Sequence, residues 1–263
     1  MSAGAEPLLD VRSLSMSFGG LRAVSEFSLA LRPGELQGLI GPNGAGKTTV
    51  FNLLTGVYPP TSGEVRLAGR TLTGLKPNRI AAAGLARTFQ NIRLFSQLSV
   101  IDNVRVACHL RARTGLWGAI ARTRAHLGEE RAITEHAMSL LEVFGLADRA
   151  DAQANSLPYG DQRRLEIARA LATAPKVLLL DEPAAGMNPQ EKVELSGLIA
   201  LVRERYGVTV LLIEHDMGLV MKICERITVL DHGVTIAQGT PAEVQRHPAV
   251  IEAYLGAPAA VEA

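Results

Sequence analysis

Gly41-Pro42-Asn43-Gly44-Ala45-Gly46-Lys47-Thr48-Thr49 fits the phosphate-cradling pattern G-x-x-x-x-G-K-[ST], and its flanks decide the fold. The run before it, Glu35-Leu-Gln-Gly-Leu-Ile40, is apolar and short enough for a buried strand. The run after it, Thr48 to Leu54, reads as a helix that stops near Gly56. Strand, glycine loop and helix in that order are the context the pattern requires. The glycines let backbone N–H groups turn inward around phosphates, and a helix N-terminus adds the positive end of its dipole. Lys47 would reach the β- and γ-phosphates and the Thr48 hydroxyl would hold Mg²⁺. A nucleoside triphosphate is the expected ligand.

Working outward, residues 8 to 32 alternate in the manner of two strands around the turn Phe18-Gly19-Gly20, and Gly63 to Leu67 reads as another short strand. Arg79 to Ala83 is expected to be helical and Leu85 to Phe89 extended. From Val100 to Arg149 the spacing turns helical, through Val104, Cys108 and Leu110, then Ala137, Leu140, Leu141 and Phe144. Strand–helix alternation returns with Lys176–Asp181, a helix over Gln190–Tyr206, and Val208–Ile213; Pro241 to Leu255 reads as one or two short helices. This order predicts a helical insertion within an α/β fold whose core sheet is largely parallel.

Composition excludes several function classes. At 263 residues and 47% hydrophobic content the chain can bury a full core, and a net charge of +1 offers no global field for nucleic acid or an anionic surface. The most basic stretch, Arg105 to Arg131, also carries Glu129 and Glu130 and reads as a solvated helical face. Two distant cysteines, Cys108 and Cys224, lack metal-ligand spacing and suit a reducing compartment. The first residues lack the basic and apolar regions of a signal peptide. No apolar run approaches the roughly 20 residues that span a bilayer. A soluble cytoplasmic protein is expected.

Val177-Leu-Leu-Leu-Asp181-Glu182-Pro183 places two carboxylates at a strand's end, and the C-terminal ends of parallel strands form the ligand crevice. Asp181 is expected to hold Mg²⁺ through water, and Glu182 to accept a proton from the attacking water. Leu211-Leu-Ile-Glu214-His215-Asp216 repeats the arrangement with a histidine at the strand exit.

Phe18, the glycine loop, Gln90 in Thr88-Phe89-Gln90-Asn91, Leu157-Pro158-Tyr159-Gly160-Asp161-Gln162-Arg163, Asp181-Glu182 and His215 fall in an order that resembles ATP-binding-cassette (ABC) ATPases. The resemblance runs from about Leu8 to Gly256. It implies an α/β P-loop NTPase core with a parallel sheet, an N-terminal antiparallel β-subdomain and an inserted α-helical subdomain. The implied boundaries are a single domain over 8–256, the insertion at 98–165 and a helical tail at 240–256. It also implies that Phe18 stacks on adenine aided by Val24, that Gln90 contacts Mg²⁺ and the attacking water and relays nucleotide state to a membrane partner, and that His215 contacts the γ-phosphate.

The Leu157–Gln162 signature departs from the family's common Leu-Ser-Gly-Gly-Gln form. Pro158 replaces a serine and brings neither hydroxyl nor N–H, Tyr159 replaces a glycine, and Asp161 replaces glutamine. Leu157, Tyr159, Gly160 and Asp161 are expected to meet the nucleotide of a second chain, with fewer donors than usual. Asn188 likewise stands where aspartate is usual. Finer features resemble the ATP-binding subunits of bacterial branched-chain amino acid importers: Phe89–Phe95, Tyr159–Arg169, Ala184–Pro189, Glu214–Met217, the Arg111–Glu130 insertion and the ending Gly239–Glu243 with Ala253–Gly256. That resemblance implies ATP and Mg²⁺ as cofactors, a second ATPase subunit (the same or a sister chain), two transmembrane permease subunits and, indirectly, a substrate-binding protein. It implies no nucleic acid and a peripheral place on the cytoplasmic face of the membrane. The alternatives are a cassette for urea, amides or lipopolysaccharide export, a soluble non-transport cassette protein, or a P-loop kinase.

Overall fold

The computed structural model describes residues 6–111 and 123–255. Tight association among residues divides the chain into two compact units, Met1–Leu85 with Lys176–Ala263, and Ala86–Pro175. The second unit runs from Ala86 to Pro175, beyond the 98–165 stretch at both ends; at its start, Phe89 and Phe95 are held by side chains of the inserted helices. Residues 112–122 of the Arg111–Glu130 insertion, and Gly256, lie outside the described residues.

In the first unit, β1 (Leu9–Phe18) and β2 (Leu21–Leu31) form the expected antiparallel pair. β3 (Leu36–Ile40) leads through the glycine loop to α1 (Lys47–Leu54). β4 (Ser62–Leu67) and β5 (Arg70–Thr71) complete a four-stranded antiparallel sheet in the order β2-β1-β4-β5, and α2 (Pro77–Ala83) precedes β6 (Leu85–Arg87). The insertion carries helices α3 (Val100–Cys108), α4 (Arg124–Val143) and α5 (Tyr159–Ala172), and after it come β7 (Val177–Asp181), α6 (Pro189–Tyr206), β8 (Thr209–Ile213) and α7 (Met217–Ile223). The hairpin β9 (Arg226–Asp231) and β10 (Val234–Gly239) follows, then helices α8 (Pro241–Gln245) and α9 (Pro248–Leu255).

The second sheet runs β10-β9-β3-β8-β7, with β6 at its far edge where the chain leaves this unit. β9, β3, β8 and β7 are parallel, and β10 pairs antiparallel with β9. Every residue of β3, β7 and β8 is buried, as near-continuous apolar runs in a covered parallel sheet require. One core joins the two sheets around α1, through Phe27, Leu39, Val50, Phe51, Leu179 and Ile213.

In the second unit, α3 (Val100–Cys108) is capped by the Ser99 hydroxyl, α4 is Arg124–Val143, and α5 is Tyr159–Ala172. α4 buries Ile133, Ala137, Leu140 and Leu141, one stripe at helical spacing. Two features differ from the sequence expectations. Strand pairing at β6 stops at Arg87 rather than Phe89, and the β9–β10 hairpin was not anticipated. Both cysteines are free and buried; burial pushes both thiols up, Cys224 to about 12.

Candidate functional site: the strand exits and the glycine loop

Parallel register sets this site. Leu39 of β3 and Asp181 of β7 both align with Ile213 of β8, so the three strands end at one level. The glycine loop leaves β3 at Gly41, with φ +151, where an added Cβ would lie 2.0 Å from the Leu230 carbonyl oxygen. No other residue fits there. Ala45 is buried, Pro42, Gly46 and Thr49 are half-buried, and Asn43, Gly44 and Thr48 are exposed. α1 begins at Lys47 with no side-chain cap, so its first amides are available to an anion at the helix start.

Lys47 is buried, and its ammonium donates to the Gly41 and Pro42 carbonyls at 2.7 and 2.9 Å. Burial draws its pKa down, while the negative charges of Glu182 and Asp181 oppose that shift. The lysine, the two carboxylates and the loop thus share one electrostatic neighbourhood. Asp181 is 2% exposed at the end of β7. Glu182 follows in the left-handed region at φ +48, its N–H donating to the Ile213 carbonyl at 2.9 Å. A non-glycine residue there costs on the order of 1–3 kcal/mol and persists only when its surroundings fix it. Those surroundings include His215, whose Nε2 lies 2.5 Å from the Glu182 carboxylate. An imidazole and a carboxylate so close can share a proton and hold each other's orientation.

Sequence reasoning missed three supports. Glu214 is buried beside His215 and accepts the Ala184 N–H at 2.7 Å, which ties the 183–188 segment to the exit of β8. Asn188, the departure from the usual aspartate, forms a reciprocal capping box with Glu191 at the start of α6. The tip of the unanticipated hairpin, Gly233, donates its N–H to the Ala45 carbonyl at 2.9 Å and accepts from the Ser25 amide at 2.8 Å. A carboxylate ending an apolar strand and the Asp231-His232-Gly233 turn were the available signals.

Phe18 ends β1 half-exposed and meets Tyr58 edge-on at 5.3 Å, a partner not foreseen. Val24, expected to aid stacking, is fully buried and packs beneath Gly46, so it offers no surface to a ligand.

In the second unit Gln90 is exposed, and its carbonyl is held by Arg163 at 2.7 Å. Leu157 is buried, and its carbonyl accepts from the Gln162 amide group at 2.8 Å. Pro158 stands at the start of α5 and gives it no side-chain cap. Gly160 is half-buried, and Asp161 pairs with Arg149 at 2.5 Å, which offsets its negative charge at that helix start. The half-buried Phe89 ring meets the guanidinium groups of Arg87 and Arg93, 5.0 and 4.3 Å from its centroid, whereas the exposed Phe95 ring meets that of Arg169 at 5.4 Å. Among the described residues no group of three or more His, Cys, Asp or Glu side chains could hold a metal by itself.

Comparison with known proteins decides the family. The model of the ABC transporter family matches residues 24–185. This chain belongs to the ABC transporter family. Its end matches a second model, the branched-chain amino acid ATP-binding cassette transporter family, over residues 234–260. The chain is 52% identical to the high-affinity branched-chain amino acid transport ATP-binding protein LivG of Salmonella typhimurium, covering 96% of this chain and 99% of that one. It is 48% identical to BraF of Pseudomonas aeruginosa over the same share of this ABC chain and 99% of that one. Its fold matches the crystal structure of the ADP conformation of MJ1267, an ATP-binding cassette of an ABC transporter, with a TM-score of 0.82 and 27% identity over 96% of this chain and all of that one. Nucleotide binding and ATP hydrolysis are the general activity of the ABC ATPase domain. Among its described residues no helix is long and apolar enough to cross a membrane.

Proposed function

We propose that this ABC ATPase drives a branched-chain amino acid importer, and that its site works as follows. The observation that carries the substrate class is the identity to LivG and BraF over nearly the whole chain, extended by the family match at residues 234–260. Lys47 and the loop amides would bind the β- and γ-phosphates once phosphate oxygens replace the Gly41 and Pro42 carbonyls on the ammonium. Hard oxygen donors, the Thr48 hydroxyl and the Asp181 carboxylate, fit Mg²⁺, which proteins hold with few side chains plus substrate phosphates. Bound there, Mg²⁺ would neutralise charge on the phosphates.

Glu182 would take the proton of the attacking water, and His215, 2.5 Å away, would keep that carboxylate aimed and face the γ-phosphate. Gln90 would report the nucleotide state to the transporter. One chain carries one set of motifs, so Leu157, Tyr159, Gly160 and Asp161 would complete the site of a second ATPase subunit, the same or a sister chain. Two permease subunits and, through them, a substrate-binding protein would complete the assembly on the cytoplasmic face of the membrane.

Deleting the chain from its cell should abolish high-affinity uptake of leucine, isoleucine and valine, and the unmodified chain should restore it. Glu182→Gln should not restore it, since removing a general base costs about 10²–10⁴-fold in rate, while ATP binding persists. Undiminished leucine uptake after deletion overturns the substrate class. Full turnover by Glu182→Gln removes Glu182 from its role.

A further inference from the structure

Two charged side chains on α5, Arg163 and Glu166, are buried to 0% and 1% exposure, and both face the segment that contains Gln90. One terminal nitrogen of Arg163 donates to the Phe89 carbonyl at 2.6 Å and to Glu166 at 2.8 Å. The other donates to the Gln90 carbonyl at 2.7 Å and to the Tyr159 hydroxyl at 3.2 Å. The second Glu166 oxygen accepts from the amides of Phe89 and Arg93, both at 3.3 Å. Asn103, also fully buried, then bonds both the amide and the carbonyl of Phe95, at 2.9 and 3.1 Å.

Burying such a pair carries a desolvation penalty of several kcal/mol per ion, and well-packed apolar side chains often do as well for stability. Burial pushes the Glu166 carboxyl up, and Arg163 and the two amides draw it back. What apolar side chains cannot do is satisfy the backbone of residues 89–93, which lie outside any helix or strand. The guanidinium fork also reaches in two directions at once, to Gln90 and to Tyr159 in the first turn of α5. Tyr159 is one of the departures from the common signature, and its hydroxyl is the atom a glycine lacks.

We propose that Tyr159, Arg163 and Glu166 lock the first turn of α5 to the Gln90 segment, so that the two move as one body during turnover. Arg163 and Glu166 are then positioning residues: they touch no phosphate and act through Gln90 and the signature turn. This rests on the reading of Gln90 and residues 157–161 given under Proposed function.

Hydrogen exchange resolved by peptide, on the full chain with and without ATP and Mg²⁺, reads the coupling directly, and steady-state hydrolysis accompanies it. In the unmodified chain ATP should alter exchange in 89–95 and 157–163 together. In Arg163→Met the two responses should separate, with kcat down about tenfold and KM for ATP within about twofold, the split that lost positioning gives and lost nucleotide binding does not. Glu166→Gln keeps an acceptor for the amides of Phe89 and Arg93, so it should fall between, and it carries the test if Arg163→Met does not fold. A folded variant with both segments responding as in the unmodified chain, and kcat intact, overturns the proposal. So does an unmodified chain that binds ATP while the two segments respond independently, a result that leaves the ATPase reading standing. Absence of ATP binding by the unmodified chain would instead bring down that reading and the proposal with it.

Discussion

Glu214 sits one residue before His215, buried at the exit of β8, and burial pushes its carboxyl above the ordinary carboxylate range. The amides of Ala184, His215 and Asp216 oppose that shift, and the neighbouring Glu182 adds to it. A carboxyl raised in the folded state contributes its full stability below the unfolded pKa and loses it as pH rises through the folded value. Glu214→Gln keeps an acceptor for the Ala184 N–H and cannot ionise. Its melting temperature relative to the unmodified protein should therefore climb as pH rises past the ordinary carboxyl range, where the unmodified carboxyl loses its contribution. A difference that stays flat with pH would show that Glu214 does not titrate in that window. Lys47, Asp181, Glu182 and His215 were singled out by type and spacing, and the structure brings them into one neighbourhood. Glu214 was not singled out, because its partner is a backbone amide thirty residues away, and no side-chain pattern encodes that.

At the scale of elements, alternation and apolar runs located β1 to β4, β7 and β8, since their side chains follow the period of a covered sheet. The β9–β10 hairpin escaped because β10 is an edge strand with mixed burial. Its turn matters to the site nonetheless. Gly233 stands at φ +79 between the Ala45 carbonyl and the Ser25 amide, and an added Cβ would lie 2.6 Å from the Ala23 carbonyl oxygen. Gly233→Ala should cost about 1–3 kcal/mol in strain at that backbone conformation, seen in thermal melts. Because the displaced tip bonds Ala45, the same variant should bind ATP several-fold more weakly. Normal ATP affinity with lowered stability would limit the hairpin to a scaffolding part. The extended reading of Leu85–Phe89 overran for a related reason: beyond Arg87 the backbone pairs with Arg163 and Glu166 rather than with a strand.

For the whole molecule, the division into two units sorts the motifs. The glycine loop, Asp181, Glu182 and His215 belong to the first, and Gln90 with Leu157–Asp161 to the second. The order of motifs along the chain made that arrangement legible; the side-chain bonds that carry Phe89–Phe95 into the second unit did not show, because buried polar pairs leave no periodic trace. If signature and glycine loop of different chains complete each site, hydrolysis per chain should rise with protein concentration until pairing saturates. A rate strictly proportional to concentration at every dilution would assign a complete site to one chain. Cys108 and Cys224 are buried, and burial raises both thiols, so each holds less of the thiolate that a maleimide or a disulfide reagent attacks than an exposed cysteine does. A cysteine introduced at an exposed position should therefore take up a maleimide faster than either native thiol, which leaves the native pair as a low background for spectroscopic rulers between chains.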